Sequence, residues 1–380
     1  MLGLGIISPL LPGLARKLGA SGLWIGIIFA GYVVSRAAVM PYFGKLSDKS
    51  GRKKFITLGL FLYIIVSFLF VIANNIYFLT AVRIFQGIAA GLILPSVMAY
   101  IGDYIKEGHE AFTMSILNMV LYIGIGAGPF IGGMINFRYG YDSVFITMGL
   151  LSLLAFLVVL IFLPEAEIKS EKQKPRTFSE IINFNLVRAI LIIIFSTSAA
   201  TTLLMSFFPI MAFHNTMDIK QIGIIISAGI IISGLLQPPL GWMVDKIKNK
   251  EEKLKHAITN VLLGSAVISA CLILLVFLSS FNASLIISMI FGLGVSIVIA
   301  SVMGLTVMVG QKLGMGYWMG IFSSSKSVSM ALTPLAAGLI MDFFGIKAAF
   351  YVIALAPMCG AFLAAYYMKK RVDGFKKVYD

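Results

Sequence analysis

The chain has 380 residues, of which 59% are hydrophobic and only 12% are charged. A soluble domain carries about 25% charged residues, so this composition excludes an ordinary water-soluble fold, and the long apolar blocks exclude a disordered chain. The net charge of +14 would suggest nucleic-acid binding in a soluble protein, but cytoplasmic loops of membrane proteins also collect Lys and Arg. The composition therefore predicts a polytopic membrane protein that binds no nucleic acid.

Apolar runs divide the chain into candidate membrane spans. A bilayer core needs about 20 apolar residues of helix, and the runs do not alternate as the strands of a barrel would. Twelve spans follow, with the limits 1–15, 23–43, 55–73, 77–101, 111–135, 143–163, 188–211, 221–243, 257–279, 283–309, 316–340 and 346–368. Because the first span reaches Arg16 after fifteen residues, we expect a first helix shortened at its N-terminus. Either its true start lies upstream or the helix is incomplete.

Lys and Arg are distributed unevenly between the predicted loops. With the N-terminus inside, the inward segments hold 22 Lys and Arg residues and the outward segments hold 5. Positively charged loops stay on the cytoplasmic side of a membrane. We therefore predict a multi-pass protein of the cell inner (plasma) membrane, with the N-terminus and the C-terminus in the cytoplasm.

The longest hydrophilic stretch, 164–187, separates the sixth span from the seventh. It is charged and carries prolines at both ends of its polar part, which predicts a cytoplasmic linker. The predicted domains are an N-terminal six-helix bundle over 1–163, this linker, and a C-terminal six-helix bundle over 188–380 with a short basic tail.

An internal repeat agrees with this division. The pattern that follows the second span recurs after the eighth span, 197 residues later. The pattern at the end of the fifth span recurs at the end of the eleventh, 205 residues later. The matched residues are Pro41, Gly44 and Asp48 with Pro238, Gly241 and Asp245, and Gly133, Gly140 and Phe145 with Gly338, Gly345 and Phe350. Duplicated halves with a site between them are a recurrent design of transporters.

The loop between spans two and three has the sequence Gly44-Lys-Leu-Ser-Asp48-Lys-Ser-Gly51-Arg52-Lys53. Its glycines permit a tight helix–loop–helix corner, and Asp48 can cap a helix N-terminus or pair with Arg52. Residue by residue, an ordinary positive-inside loop would explain the lysines. As a whole, the loop resembles the signature loop of the major facilitator superfamily.

Three further motifs carry the same resemblance. On spans four, five and one they read Arg83-Ile-Phe-Gln86-Gly87-Ile-Ala-Ala90-Gly91, Gly124-Ile-Gly-Ala-Gly128-Pro129-Phe-Ile-Gly132-Gly133 and Gly3-Leu-Gly-Ile-Ile-Ser-Pro9-Leu-Leu-Pro12. They are similar to the family's span-four motif, to the motif of its efflux antiporters and to the first-span pattern of its drug–proton antiporters, the tetracycline and multidrug efflux branch. The resemblance covers essentially the whole chain. It implies an all-α membrane protein with twelve transmembrane helices in two pseudo-symmetric six-helix bundles.

The resemblance also implies a gate on the cytoplasmic side. Asp48 would face the start of span eleven, and Arg52 would pair with Asp103 at the inner end of span four. Together with Gly44 and Gly51, this cluster would hold the cytoplasmic side closed until the halves rock apart. The simpler interpretation is that Asp103 merely ends its helix.

A stripe of glycines on span five is predicted to be a hinge. Gly124, Gly128 and Gly132 recur every four residues, and small residues at this spacing let helices approach closely in lipid. Pro129 removes one backbone hydrogen bond and allows a bend. Tight packing alone would explain the stripe, whereas the functional interpretation makes these residues, with Gly133, a hinge and seal between spans five and eight.

Three cations lie inside predicted spans, whereas all sixteen acidic residues fall in loops or at helix ends. Ionisable groups inside a membrane are costly and mark functional sites. Because spans two and eleven are neighbours in the family fold, Arg36 and Lys326 are expected near one another. Cations without a carboxylate favour an anionic or electron-rich ligand. Snorkelling would also explain Lys326, but its depth of about 15 Å argues against this.

Arg83, the third cation, has two interpretations that the sequence leaves open. It can pair with backbone carbonyls of span one or with a carboxylate on that span. In the antiporter pattern an acidic residue usually precedes the Gly-x-Gly run, and its place here would fall before Met1, so proton coupling through it is unproven. Polar residues that can orient a ligand are Tyr32, Gln86, Asn118, Tyr122 and Gln237, with the serines at 323–325.

The sequence contains no pattern typical of a metal site or of an ATP-driven pump. The three histidines lie in separate loops, which predicts no metal site, and the lack of a Gly-rich phosphate loop with Lys argues against ATP drive. We therefore predict a transporter without a cofactor, not an enzyme: a secondary carrier of a small organic solute that uses alternating access. Proton-coupled efflux of drugs or metabolites is the main hypothesis.

Two alternatives to this hypothesis remain. One is an organic-anion carrier that uses Arg36, Arg83 and Lys326 to bind its substrate. The other is a passive channel or a membrane enzyme, for which the sequence offers neither a filter nor a site cluster. The expected partners are the lipid bilayer and the small-molecule substrate, with a monomeric chain and the proton gradient as the source of energy.

Overall fold

The computed structural model describes residues 2–7, 9–104, 110–165, 182, 184–214, 217–247, 249–313 and 315–372. Regular secondary structure in this part of the chain is helical, without strands. The thirteen helices are α1 (Leu2–Ile7), α2 (Leu11–Lys17), α3 (Gly22–Ser50), α4 (Arg52–Val71), α5 (Ile76–Tyr104), α6 (Glu110–Tyr139), α7 (Tyr141–Phe162), α8 (Asn185–His214), α9 (Ile219–Asp245), α10 (Lys250–Phe277), α11 (Phe281–Leu313), α12 (Met315–Phe344) and α13 (Ile346–Val372).

Eleven of these helices, α3 to α13, are long and apolar enough to cross a bilayer. They correspond in order to predicted spans two to twelve. Several extend beyond the apolar run from which they were predicted, because polar caps start them earlier. In α10, for example, the Asn249 side chain accepts a hydrogen bond from the Glu251 N–H at 3.0 Å and begins the helix in a charged segment.

The first predicted span is divided into two short helices, α1 and α2. Between them the Leu10 N–H donates to the Ile7 carbonyl at 3.0 Å in a tight turn. Prolines explain the division, because Pro9 cannot supply the N–H that a continuous helix needs. Pro12 lies in the first turn of α2, where the missing N–H has no helical partner to lose.

An exposed apolar stripe on α7 shows which surface faces lipid. Leu150, Leu154, Leu157 and Ile161 are all exposed and recur at helical spacing on one face. In a membrane protein a face of this kind contacts lipid, which is as apolar as leucine. The helix α8, by contrast, is buried along most of its length.

Helix contacts recur between the first and second halves of the chain. The helix α3 packs against α5 as α9 packs against α11, and α4 packs against α7 as α10 packs against α13. The pair α1 and α6 has its counterpart in α8 and α12. In each case the counterpart lies six predicted spans later, which agrees with the internal repeat. The domain boundaries at 163 and 188 stay a prediction, since residues 166–181 and 183 lie outside the described part.

The main contacts between the halves are made by two helix pairs, α3 with α12 and α6 with α9, and a smaller contact joins α2 to α8. Glycines allow their backbones to touch: Gly26 lies against the Pro334 carbonyl, and Gly223 lies against the Pro129 carbonyl. Both contacts are near the end of the molecule at which α3 and α9 begin. Towards the other end of α9 the surroundings of Gly241 are open, with no neighbouring atom within 4 Å of where its side chain would be.

Candidate functional site

Two glycines of the span-four motif bring α5 close to α3. A side chain at Gly87 would collide with the Tyr32 carbonyl, and one at Gly91 would press on the Arg36 carbonyl. The glycines are four residues apart and so are the two carbonyls, so the helices meet over a full turn. This close approach places the Arg83 side chain, one turn earlier on α5, beside Tyr32.

Arg83 is only 3% exposed, and its N–H groups bond within the protein. Nη1 donates to Gln86 Oε1 at 2.6 Å, and Nε donates to the Ile28 carbonyl at 3.5 Å. The guanidinium carbon lies 4.8 Å from the Tyr32 ring centroid and 5.4 Å from the Phe29 centroid, within the range of cation–π attraction. The carbonyl partner thus belongs to α3, and not to the first span as one interpretation of the sequence expected.

Arg36, one turn after Tyr32 on α3, has fewer partners. It is 9% exposed, and its guanidinium carbon lies 5.4 Å from the Tyr32 ring centroid. Its Nε has no hydrogen-bond partner among the described residues, and neither does the buried Nε2 of Gln86. Buried donors without partners are uncommon in native proteins. The Arg36 Nε–H can therefore donate to an acceptor of a ligand.

Tyr32 and Arg36 line a cavity of about 250 Å³ inside the first half of the chain. Tyr63 on α4 also lines it. Ser152 is its other polar wall residue, but the hydroxyl donates to the Met148 carbonyl at 2.8 Å within α7. The rest of the wall consists of Leu2, Gly3, Leu60, Ala90, Ile93, Leu94, Met148, Leu151 and Ala155. Apolar walls with a few convergent polar groups are typical of sites for small organic molecules.

Lys326 on α12 belongs to a different group of residues. Its Nζ lies 5.5 Å from the ring centroid of Tyr122 on α6. On α9, Gly234 lies against the Tyr122 side chain, and the Gln237 Nε2 donates to Ser233 Oγ at 3.4 Å. The helices α3 and α12 are adjacent, as expected. Lys326 and the two arginines nevertheless contact different aromatic rings, so these contacts do not join them into one cluster.

The signature loop forms a tight corner between α3 and α4. Gly51 stands at this corner with a φ of +94°, a backbone conformation that glycine adopts readily and other residues do not. Arg52, the first residue of α4, is buried. For Asn118 and three positions of the predicted gate, Gly44, Asp48 and Asp103, the structure describes the helical backbone but not the side chains or their surroundings. The pairing of Arg52 with Asp103 therefore stays a prediction.

Glu165 is a residue of this corner that the sequence did not indicate. Its Oε1 accepts a hydrogen bond from the Lys53 N–H at 3.3 Å, and its carboxylate lies against Gly51. The neighbouring Pro164 carbonyl accepts a hydrogen bond from the Tyr100 hydroxyl at 3.1 Å. A carboxylate is favourable at the start of α4, because helix N-termini carry partial positive charge. The contact spans 112 residues, so no local spacing could reveal it.

The glycines of α6 face two different helices. Gly128 and Gly132 lie against the backbone of α1, whereas Pro129 and Gly133 lie against the backbone of α9. The contact with α9, the predicted eighth span, is therefore made by Pro129, Gly133, Gly126 and the Phe130 N–H, which donates to Ser227 Oγ at 2.8 Å, rather than by the glycine stripe. The predicted role of this region as a hinge remains a prediction.

Comparisons with known proteins agree on one family. The family model of the Major Facilitator Superfamily matches residues 1–314 and residues 190–377. The uncharacterized MFS-type transporter MJ1560 of Methanocaldococcus jannaschii is 28% identical over 353 residues, which cover 91% of this chain and 89% of the relative. The quinolone resistance protein NorA of Staphylococcus aureus is 28% identical over 374 residues, which cover 94% of this chain and 91% of NorA.

Solved structures share the fold. A bacterial homolog of the human lysosomal transporter Spinster, in an inward-facing and unoccupied conformation, has a TM-score of 0.78 at 12% identity, covering 98% of this chain and 94% of the homolog. The human organic anion transporter MFSD10 (TETRAN) has a TM-score of 0.66 at 16% identity, covering 96% and 95%. The matching family is one of membrane transporters and not of enzymes. This chain, with its eleven membrane-spanning helices in the described residues, belongs to the major facilitator superfamily.

Proposed function

We propose that the protein is a secondary active exporter of small organic solutes, such as drugs or metabolites, that uses alternating access and the proton gradient. The observation that carries this proposal is the cavity of about 250 Å³ with apolar and aromatic walls at Tyr32, Tyr63 and Arg36. A wall of this kind accepts drug-sized organic molecules by burial of apolar surface. The similarity to NorA, a quinolone resistance protein, supports the same class of substrate.

The packing of the halves is suited to alternating access. Close backbone contacts between the halves lie near the start of α3 and α9, whereas at Gly241, towards the end of α9, no described atom lies within 4 Å of where a side chain would be. Two bundles that touch at one end can rock against each other, which would open the protein to each face of the membrane in turn. On the predicted orientation, the end in contact is the outer face of the membrane.

Transport in proteoliposomes tests this function. We expect saturable uptake of a fluorescent quinolone that is stimulated by unlabelled quinolone on the other side, because a carrier exchanges its substrate and a channel does not. An imposed pH gradient should drive accumulation. If the flux of every tested solute is non-saturable and is not stimulated by counterflow, the protein is not a carrier. If the flux does not respond to the pH gradient, transport is not coupled to protons.

A second candidate function is the transport of organic anions. It is favoured by the unpartnered Arg36 Nε and by the absence of acidic residues from the described lining of the cavity. Guanidinium N–H groups bind carboxylates, sulfonates and phosphates strongly in a low-dielectric site. Lys326 is a further cation near the middle of its span, but it lies over Tyr122 and does not line this cavity.

The Arg36→Gln variant distinguishes the two candidates. If the substrate is anionic, uptake of an anionic dye should fall about tenfold while uptake of a cationic dye of similar size is spared, because only the anion loses a charged hydrogen bond. The matched control is Arg138→Gln, the same change at an exposed arginine at the end of α6. Loss of cationic dye uptake in the Arg36 variant would exclude the anion hypothesis.

The membrane arrangement belongs to the same proposal. We place both termini in the cytoplasm of a plasma-membrane protein that functions as a monomer. The uneven distribution of Lys and Arg supports the orientation.

A further inference from the structure

A carboxylate from the second half of the chain caps the N-terminus of α3, in the first half. Asp342 lies near the end of α12. Its Oδ1 accepts a hydrogen bond from the Gly22 N–H at 2.7 Å, and its Oδ2 accepts one from the Leu23 N–H at 2.8 Å. The first N–H groups of a helix have no partner within that helix, and the helix N-terminus carries partial positive charge. Asp342 satisfies two of these N–H groups with one negative charge from a residue 320 positions away.

The surrounding packing allows this contact at only one distance between the axes of α3 and α12. Gly338, one turn before Asp342, lies directly against the Gly22 backbone, and Gly26 lies against the Pro334 carbonyl. A side chain at Gly22 would collide with both Met341 and Asp342. Hydrogen bonds of 2.7–2.8 Å tolerate little change in distance. The contact is therefore lost as soon as the two helices move apart at this end.

The counterpart helix α9 is capped in a different way. Its own N-cap residue, Asp218, accepts the Gln221 N–H at 2.7 Å, and the Gln221 side chain accepts the Asp218 N–H at 3.2 Å. This capping box is complete within one short segment, so it persists when the halves move. In α3 the local cap Ser21 accepts the Trp24 N–H at 3.3 Å, and Gly22 and Leu23 bond instead to the other half.

We infer that Asp342 is the latch of the outer gate, and this inference rests on the proposed alternating access. The latch holds α3 and α12 together while the outer end is closed, and it must release before that end can open. An interaction present in only one of two conformations stabilises that conformation by the free energy of the interaction, and so raises its population. Asp342 thus sets the balance between the closed and the open outer end without contacting the substrate.

Spin-label distances in proteoliposomes test the latch on the full chain. The labels are placed at Asn74, in the α4–α5 loop, and Lys347, near the start of α13, which are exposed residues of opposite halves at the same end. Cys271 and Cys359 are replaced by Ala in this background. We expect a mainly short distance in the parent protein. In Asp342→Asn and Asp342→Ala the ratio of short to long distances should fall about tenfold, more in the alanine variant, since two charge-assisted hydrogen bonds are lost.

The Asp142→Asn variant is the matched control. Asp142 lies in the first turn of α7, within the first half and at the same end, so the variant removes a charge without touching the contact between halves. It should leave the distances unchanged. If Asp342→Asn and Asp342→Ala retain the parent distances, or shift them no more than Asp142→Asn, the carboxylate is only a helix cap and the latch is excluded.

Failure of the latch and failure of the proposed function are separate results. Loss of counterflow in the parent protein itself would contradict the carrier, whatever the labels show. Normal counterflow in the parent together with unchanged distances in both Asp342 variants would contradict the latch alone. Because asparagine keeps the size of the side chain and one acceptor oxygen, Asp342→Asn preserves the fold where Asp342→Ala is less stable.

Discussion

The two arginines that flank the Tyr32 ring have different surroundings, and this difference supports the proposal that Arg36 binds a ligand while Arg83 is structural. Arg83 donates to Gln86 and to the Ile28 carbonyl, so its charge is held by the fold. Arg36 lines the cavity with an unpartnered Nε. Buried charge without a partner destabilises a protein, and it persists where a ligand supplies the missing acceptor.

Replacement of Arg83 should therefore destabilise the protein more than replacement of Arg36. In Arg83→Ala the buried Gln86 Oε1 loses its charged donor, and we expect a loss of about 2 kcal/mol in the free energy of unfolding. Arg36→Gln should change stability much less. Thermal unfolding of the purified variants in detergent measures both. Equal destabilisation by the two changes would contradict the division of roles.

At the residue scale, the sequence could indicate charged residues but not their partners. Arg36 and Arg83 are visible as cations within apolar runs, and Tyr32 as a polar residue at similar depth. Glu165 and Asp342 were not found, because each is an acidic residue at a helix end whose partner lies more than 100 positions away. Their function comes from the backbone N–H groups of another helix, which have no signature in the sequence.

At the scale of elements, counterpart helix pairs are held by different contacts in the two halves. The pair α1 and α6 meets through Gly128 and Gly132. Its counterpart, α8 and α12, is joined by Ser325 and Ser329, whose hydroxyls donate to the Leu191 and Phe195 carbonyls at 3.0 and 2.6 Å. Interhelical hydrogen bonds of this kind contribute about 0.6 kcal/mol each in a membrane protein. The glycine contacts depend on sterics and leave no room for a larger residue.

Gly87→Ala should accordingly weaken the α3–α5 pair. The added methyl group would collide with the Tyr32 carbonyl and with Ser35, and overpacking of this kind costs about 1–3 kcal/mol. Gly241→Ala is the matched control, because its surroundings are open and alanine favours helix by about 1 kcal/mol. Melting temperatures in detergent should fall for the first variant and hold or rise for the second. The reverse order would show that the close approach at Gly87 does not govern the packing of this pair.

Apolar runs predicted the membrane helices well, and prolines limited the prediction in one place. The helices α5, α6, α8, α9, α12 and α13 each contain an internal proline and continue through it. In a membrane, neighbouring helices and side chains can satisfy the carbonyl that a proline leaves free. Only in the first predicted span, where Pro9 and Pro12 are three residues apart, is the helix divided. The effect of a proline therefore depends on its surroundings, which the sequence does not show.

At the scale of the whole molecule, the repeat in the sequence has a physical counterpart in the helix contacts. The joining pairs α3–α12 and α6–α9 are related by the same shift of six spans as the pairs within each half. Spacing alone could suggest the duplication but could not say at which end the halves touch. That information lies in glycines and in Asp342, whose neighbours belong to the other half.

The predicted orientation decides which membrane face the closed end occupies, and accessibility of single cysteines tests it. In a background without Cys271 and Cys359, a cysteine at Asn74 should react with a membrane-impermeant maleimide on intact cells, because the α4–α5 loop is predicted to be outside. A cysteine at Lys255, in the first turns of α10, should react only in inverted vesicles. Both residues are exposed, so burial cannot explain a missing reaction. The opposite pattern would reverse the molecule in the membrane and make the Asp342 contact part of a cytoplasmic gate, against the distribution of Lys and Arg.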